Sequence, residues 1–200
     1  MSPIELGPAI LQYEFPERIA SDLVSVFETD DRIVWNKSGV GSHANQNQEI
    51  RTSKEYPFEH EMPISASMVK ELFISAVDDY CNRFDLIITQ DEGLNLLKYT
   101  GGEKYDFHAD GNWQMYRVLS GLIYLNPSDY KGGETYFKYF DLSVHPKFPA
   151  IVLFPSNYAY THAAMPVTEG TKYILVTWTN DLPPGFTHRV LDQIAAATGR

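Results

Sequence analysis

Two histidines and one aspartate in the second half of the chain have the types and spacing that a metal site requires. His108 and Asp110 are two residues apart, and residues i and i+2 of a strand point to the same face of a sheet. His162, from a later strand-like run, is the leading candidate for a third ligand. Two histidines and one carboxylate leave three positions of an octahedral iron open to other ligands. The pattern therefore predicts a non-haem iron site.

The His-x-Asp pair alone is a weak signal, because the chain has 26 acidic residues among 200 and about one such pair arises by chance. Lys172 strengthens it, because a cation before an apolar strand could pair with the distal carboxylate of a dicarboxylate that chelates the metal. A solvated lysine is the alternative. The remaining histidines are expected to be ordinary surface or core residues: His43, His60, His145 and His188.

Two tyrosines and a glycine turn accompany these residues. Tyr99 begins the run that leads to His108, and Tyr124 lies in a later apolar run. A phenol ring gives a pocket an apolar wall with one polar tip, which suits a small polar cofactor, although filling of the core is the alternative. The segment Gly132-Gly133-Glu134-Thr135 predicts a tight turn that enters a strand, and an ordinary hairpin explains it equally well.

Together these motifs resemble the prolyl 4-hydroxylase-like branch of the 2-oxoglutarate- and iron-dependent oxygenases. The resemblance runs from about Leu94 to Asn180. Its motifs, in the family's order, are Tyr99-Thr-Gly-Gly-Glu-Lys-Tyr-Asp-Phe-His108-Ala-Asp110, Ile123-Tyr-Leu-Asn126, Gly132-Gly-Glu-Thr135, His162 and Lys172. The resemblance implies a mainly β fold, with a double-stranded β-helix core of the jelly-roll or cupin-like kind and supporting N-terminal α-helices.

The resemblance also implies a role for each matched residue. Iron(II) would be held by His108, Asp110 and His162, which would be the catalytic centre. Lys172 would bind the C5 carboxylate of the co-substrate 2-oxoglutarate. Tyr99 and Tyr124 would line the co-substrate pocket, with Tyr124 the expected partner of that carboxylate, and Trp178 would form an aromatic wall beside the substrate. Dioxygen is the second co-substrate, and ascorbate could serve as reductant.

The implied reaction is hydroxylation of a substrate, coupled to decarboxylation of 2-oxoglutarate to succinate. Asp110 favours hydroxylation over halogenation, because related halogenases have a small residue in its place. Peptidyl proline is the first substrate prediction, so the expected partner is a peptide or protein. A free amino acid or other small metabolite is the alternative, and a metal-binding jelly-roll module without catalysis is another. Arg51 could contact a peptide backbone, or it could be a solvated arginine.

The elements that must position these residues divide the chain into two halves. Apolar residues at helical spacing predict helices from Pro16 and over about 65–84, the second with Ser65 or Ser67 as N-cap. Strands are expected at Leu94–Tyr99, Tyr105–Ala109, Arg117–Leu125, Glu134–Phe137, Ala150–Phe154 and Tyr173–Thr179. The polar segment Lys37–Pro57 could be a substrate lid or an ordinary loop. The end of the chain could form a short helix around Val190–Ala197.

We interpret the chain as one domain, with a helical, lid-bearing part at 1–93, a motif-bearing β core at 94–180 and a tail at 181–200. The net charge of −10 opposes a nucleic-acid partner, and with it a nucleic-acid demethylase of the same superfamily. The single cysteine cannot form an internal disulfide. No signal peptide or membrane-spanning run is recognisable, so a soluble, cytoplasmic protein without a membrane partner is expected.

Overall fold

The computed structural model describes residues 2–39, 49–112 and 116–181, together with the single positions 193 and 197. Strands dominate these residues, as the sequence predicts. The α-helices are α1 Glu17–Thr29, α2 Phe58–Glu61 and α3 Pro63–Phe84. The strands are β1 Ile4–Gly7, β2 Ile10–Glu14, β3 Asn36–Lys37, β4 Lys54–Tyr56, β5 Gln90–Asp91, β6 Asn95–Tyr99, β7 Tyr105–His108, β8 Leu119–Tyr124, β9 Tyr130–Gly132, β10 Thr135–Phe137, β11 Leu142–Val144, β12 Ala150–Pro155, β13 His162–Ala164, β14 Val167–Gly170 and β15 Lys172–Asn180.

Both predicted helices are present, and each buries one face. The buried positions recur every three or four residues, and they are Ala20, Leu23, Val24 and Phe27 in α1, and Ala66, Val69, Phe73, Ala76, Val77 and Tyr80 in α3. The expected N-cap of α3 is wrong, because the helix begins at Pro63 with Met62 before it. A proline is tolerated in the first turn, where its missing N–H has no partner to lose. Ser67 instead donates its hydroxyl to the carbonyl of Ile64.

The large sheet has the order β1-β2-β12-β8-β15-β6-β4-β3, with β5 added beside β15. Its central strands are buried on both faces, so alternate side chains belong to two different cores. In β15, Tyr173 and Leu175 pack towards the helices, whereas Ile174 and Val176 point to the opposite side. Lys172 has the parity of Ile174, so its side chain also points away from the helices.

A small sheet with the order β11-β10-β13-β7 faces that second side, and β9 pairs with β14 beside it. The six strands predicted from the sequence correspond to β6, β7, β8, β10, β12 and β15, with ends shifted by one or two residues. The sequence prediction lacks the N-terminal hairpin of β1 and β2, whose second strand joins the large sheet beside β12. Two facing sheets enclose a space into which Lys172 and the ligand candidates project.

The polar segment 37–57 is only partly a loop. Lys37 and Lys54 are partners in the pairing of β3 with β4, which continues the large sheet beyond β6. The lid prediction for the middle of this segment falls partly outside the described residues, as do His43 and His188. The tail helix expected around 190–197 lies outside them too, except that 193 and 197 are helical. No helix in the described part of the chain is long and apolar enough to cross a membrane.

Candidate metal centre

His108 and His162 face each other across two paired strands of the small sheet. His108 ends β7, His162 begins β13, and the antiparallel register makes them direct partners. Directly opposite residues project to the same side of a sheet, so the two imidazole rings meet, with centroids 4.4 Å apart. The backbone pairing therefore brings together two side chains that are distant in sequence.

Each of these imidazoles is oriented by a hydrogen bond from its Nδ1. Nδ1 of His108 is 2.8 Å from the carbonyl oxygen of Asp106, and Nδ1 of His162 is 3.0 Å from that of Tyr160. A carbonyl oxygen only accepts, so Nδ1 carries a hydrogen in both rings, and Nε2 is the nitrogen left to bind a metal. Burial, with repulsion from His162, lowers the pKa of His108 to about 3. The His108 ring is therefore neutral near pH 7 and able to bind a metal through Nε2.

Asp110 lies in a bend just beyond β7, and not on the strand as the His-x-Asp pattern predicts. The chain turns there because the N–H of Gly111 donates to the carbonyl of Ser156, at 2.7 Å. The carboxylate nevertheless reaches both histidines. Its Oδ1 is 3.6 Å from Nε2 of His108, and its Oδ2 is 3.7 Å from Nε2 of His162.

The carboxyl group of Asp110 is ionised although it is buried. Burial favours the neutral form, but the two histidines and the Ser120 hydroxyl, which donates to Oδ2 at 2.7 Å, together hold its pKa below the usual value. The separations from the imidazole nitrogens are too long for hydrogen bonds, so the three groups direct lone pairs into a shared space. Their ligand atoms all lie within 4.8 Å of one another. Imidazole nitrogens and a carboxylate fit a divalent transition metal such as iron(II).

These donor atoms open into a cavity of about 310 Å³ between the two sheets. Most of its walls come from the large sheet and the small sheet, and Gly39 and Arg51 line it as well. The lining residues are Gly39, Arg51, Leu97, Tyr99, Tyr105, His108, Ala109, Asp110, Asn112, Arg117, Leu122, Thr135, His162, Ala164, Lys172, Ile174, Val176 and Trp178. The cavity therefore joins the metal ligands to the one lysine among its described lining residues.

Lys172 is buried, and its amine is surrounded by aromatic rings. Only 1% of the residue is exposed, and Nζ donates a 2.6 Å hydrogen bond to the carbonyl of Gly133. Nζ also lies 5.4 Å from the ring centroid of Tyr99 and 5.0 Å from that of Tyr124. Burial lowers the pKa of Lys172 to about 7, partly offset by Glu134. An amine buried without a carboxylate bonded to it is a strong receptor for an incoming anion, because the anion would restore its charge.

The two predicted tyrosines occupy different positions around this amine. Tyr99 is the register partner of Lys172 across β6 and β15, and it lines the cavity. Tyr124 lies behind the cavity wall and shares a 2.5 Å hydrogen bond with the hydroxyl of Thr135. Thr135 reaches the cavity surface itself. An anion beside Lys172 would thus meet Thr135, with Tyr124 supporting that hydroxyl from behind.

Trp178 lines the cavity, and its expected place beside the substrate stays a prediction. The guanidinium of Arg117 covers its ring, with Cζ 3.7 Å from the centroid. Two hydrogen bonds to the Glu92 carboxylate, at 2.9 and 2.6 Å, hold the guanidinium in place. The Arg117–Glu92 ion pair therefore covers one face of an indole ring that lines the cavity.

Arg51 is partly buried and lines the cavity, so the alternative of a solvated arginine does not hold. Its guanidinium donates to the carbonyl of Gly39 at 2.7 Å and lies 4.6 Å above the ring of Tyr105. The other face of that ring stacks on His108, with centroids 3.7 Å apart. Arg51 thereby braces the aromatic ring that supports one ligand candidate.

The structure brings together all three predicted ligands, Lys172, Tyr99, Trp178 and Arg51, and it places Tyr124 one layer further back. Sequence reasoning missed Thr135, Arg117, Tyr105 and Ser120 as members of the site. The Gly-Gly-Glu-Thr turn was a signal for Thr135. Ser120 lies in an apolar strand, where a single serine gives no sequence signal of a functional role. The other described histidines are as expected, with His60 exposed and His145 bonded to a carbonyl oxygen.

Comparison with known proteins agrees with this geometry. Residues 94–180 match the family model of the 2OG-Fe(II) oxygenase superfamily. The chain is 29% identical over 161 residues to a putative prolyl 4-hydroxylase of Acanthamoeba polyphaga mimivirus, covering 70% of this chain and 60% of that one. It is 34% identical over 104 residues to the PKHD-type hydroxylase PiuC of Pseudomonas aeruginosa, covering 46% and 45%. The chain thus spans between about half and three fifths of the length of these curated relatives.

Solved structures confirm the fold. A prolyl hydroxylase from Trichoplax adhaerens, in complex with a peptide of hypoxia inducible factor, superposes with a TM-score of 0.72 at 20% identity, covering 86% of this chain and 84% of that one. A prolyl-4-hydroxylase of Pseudomonas putida gives a TM-score of 0.65 at 18% identity, covering 88% and 94%. The expected double-stranded β-helix, and the resemblance to prolyl 4-hydroxylase-like oxygenases, are both confirmed.

Proposed function

We propose that this chain is an iron(II)- and 2-oxoglutarate-dependent dioxygenase that hydroxylates a peptidyl proline. One observation carries the proposal: three convergent metal-ligand side chains and a buried, carboxylate-free lysine line the same cavity. The three ligand side chains suit a metal, and the lysine suits one carboxylate of a dicarboxylate whose other end binds that metal. 2-Oxoglutarate is a dicarboxylate of this kind. When bound, iron with 2-oxoglutarate and dioxygen supplies the oxidising power for hydroxylation, with succinate and carbon dioxide as the other products.

The residues of the chain would hold the metal and the co-substrate, orient them and shield them from water. His108, Asp110 and His162 would hold iron(II). The negative charge of the Asp110 carboxylate would offset part of the positive charge of the ion in the cavity. Lys172 would bind the far carboxylate of 2-oxoglutarate, taking up a proton as its charge is restored. The apolar walls formed by Ile174 and its neighbours exclude water from the reacting atoms.

The substrate would reach this centre at the side of the cavity formed by Trp178 and the two arginines. The indole offers a flat apolar surface of the kind that packs against a proline ring. Arg51 and Arg117 both reach the cavity, and guanidinium groups donate hydrogen bonds readily to carbonyl oxygens such as those of a peptide. A peptide therefore suits this side of the cavity in both its apolar and its polar parts.

A turnover assay tests the proposal. The full chain is loaded with iron(II) under ascorbate and incubated with 2-oxoglutarate and either proline-containing peptides or free amino acids. We expect succinate formation that the peptides stimulate, with a mass gain of one oxygen on proline. Stimulation by free amino acids alone would instead assign a small-molecule hydroxylase.

Variants of the ligands supply the controls. Asp110→Ala and His162→Ala should each abolish turnover while the fold persists by circular dichroism, because each removes one of three metal ligands. His60→Ala is the matched control, since His60 is exposed and remote from the cavity lining. Iron binding by the wild-type chain without any turnover would favour a binding module, and full activity of either ligand variant would refute the ligand assignment.

A further inference from the structure

Ser120 is a polar residue near the start of the most buried strand of the large sheet. The strand β8 lies between β12 and β15, all six of its residues are buried, and Ser120 has an exposed fraction of 0%. A hydroxyl in such a place costs free energy unless it is hydrogen-bonded. Its hydrogen bond runs to Oδ2 of Asp110, at 2.7 Å. The serine is therefore tied to a proposed metal ligand.

A second buried serine stands behind the first. The hydroxyl oxygens of Ser120 and Ser156 are 2.8 Å apart, and Ser156 is 1% exposed. Ser120 has one hydroxyl hydrogen, and its 2.7 Å bond directs that hydrogen to Oδ2 of Asp110. Ser156 must then donate to Ser120. The result is a directed chain from Ser156 through Ser120 to the carboxylate, and each bond polarises the next.

The backbone fixes the outer end of this chain. The N–H of Ser156 donates to the carbonyl of Val118 at 3.0 Å, and its carbonyl accepts the 2.7 Å bond from Gly111, next to Asp110. Ser156 thus ties the end of β12 to the start of β8 and to the bend that carries Asp110. The side-chain bond and the backbone bond restrain the same aspartate from two directions.

We infer that Ser120 and Ser156 are positioning residues for the metal centre: their hydroxyl chain occupies Oδ2 of Asp110 and fixes the plane of its carboxylate towards the two histidines. A carboxylate with one oxygen held in this way presents a defined direction to a metal and does not rotate to offer both oxygens equally. This inference rests on the proposed function, because it requires that Asp110 bind a metal.

Metal affinity tests the inference without any turnover. Cobalt(II) and manganese(II) are titrated into the full wild-type chain and into Ser120→Ala, with a chelating indicator as competitor. Loss of such a partner behind a ligand weakens metal binding by about 10- to 100-fold, and we expect a decrease in this range for Ser120→Ala. Ser156→Ala should weaken binding less, because Ser120 keeps its own bond to Asp110. The visible absorption of bound cobalt(II) should also change in Ser120→Ala, because the carboxylate becomes free to turn.

Thr177→Val is the matched control. Thr177 is the register partner of Gly121 on the neighbouring strand, and its hydroxyl is buried without a hydrogen-bond partner. This change also removes a buried hydroxyl beside β8, but it removes no hydrogen bond to Asp110. The metal affinity and the cobalt(II) spectrum should therefore match those of the wild type. Ser120→Thr keeps the hydroxyl and should restore binding towards the wild-type value.

The outcomes separate the two proposals. If the wild-type chain binds neither ion, the proposed function fails and this inference fails with it. If the wild-type chain binds and a folded Ser120→Ala has the same affinity and cobalt spectrum, only the inference is overturned. Should Ser120→Ala not fold, Ser156→Ala and Ser120→Thr decide, and an unchanged affinity and spectrum in Ser156→Ala then counts against a hydroxyl chain.

Discussion

Lys172 should destabilise the protein in the absence of a ligand. Its amine has a pKa of about 7 in the folded chain against 10.5 in an exposed lysine, because burial disfavours the charge. Between these two pH values the unfolded chain binds more protons than the folded chain, so the contribution of this group to stability rises as the pH rises from 7 to 10.5. At about 1.36 kcal/mol per pH unit, the full difference is roughly 5 kcal/mol.

Lys172→Met replaces the amine with an apolar side chain of similar length. The variant also loses the hydrogen bond to the Gly133 carbonyl, which offsets about 1.5–3 kcal/mol of the gain. At pH 7 the variant should therefore be more stable than the wild type by about 2 kcal/mol or more. The advantage should shrink towards pH 10, because the wild-type chain alone gains stability there.

Urea unfolding of both proteins at pH 7, 8.5 and 10, followed by tryptophan fluorescence, measures this difference. Lys147→Met is the matched control, because Lys147 is exposed and its replacement should change the free energy of unfolding only slightly. A Lys172→Met protein that is less stable than the wild type at pH 7, or a difference that is constant across the three pH values, would show that burial of the amine carries no such cost.

Two further predictions concern the binding of the co-substrate and the turn beside Lys172. At pH 8.5, 2-oxoglutarate binding to the metal-loaded chain should take up close to one proton, because Lys172 is mostly neutral before binding and charged after it. Calorimetry in buffers of different ionisation enthalpy measures this proton uptake. The uptake should fall near zero well below pH 7, where Lys172 is already charged. Gly132→Ala should destabilise the chain by about 1–3 kcal/mol, because φ is +69° and a Cβ would lie 2.3 Å from the Pro166 carbonyl oxygen. Gly101→Ala, with nothing within 4 Å of its Cβ, should be nearly neutral in the same urea titration.

Much of the site could be predicted because His108 and Lys172 lie at the ends of segments that are recognisable as strands. His108 ends β7 and Lys172 begins β15, and alternate residues of a strand point to opposite faces of its sheet. The pairing of β7 with β13 could not be read from the sequence, since hydrogen bonds between distant strands leave no local pattern. The motifs could be matched to a family, and that match supplied the long-range information that periodicity lacks.

Other features were wrong or missed for identifiable reasons. Asp110 was expected on a strand, but the bond from Gly111 to a distant carbonyl bends the chain first. Ser65 or Ser67 was expected to cap α3, yet Pro63 begins the helix earlier because its ring already has a helical φ. Ser120 and Ser156 attracted no prediction, because two serines 36 residues apart look unrelated until the strands that carry them pair.

The direct pairing of His108 with His162 makes the proposed centre sensitive to chain length as well as to side-chain chemistry. Successive side chains of a strand point to opposite faces, so one residue inserted into or deleted from β13 would turn His162 away from its partner while the small sheet could still form. A substitution at another position of that sheet leaves this register unchanged. Apart from the two histidines, natural or engineered variation should therefore tolerate exchanges of residue type in β7 and β13 far better than changes in the number of residues.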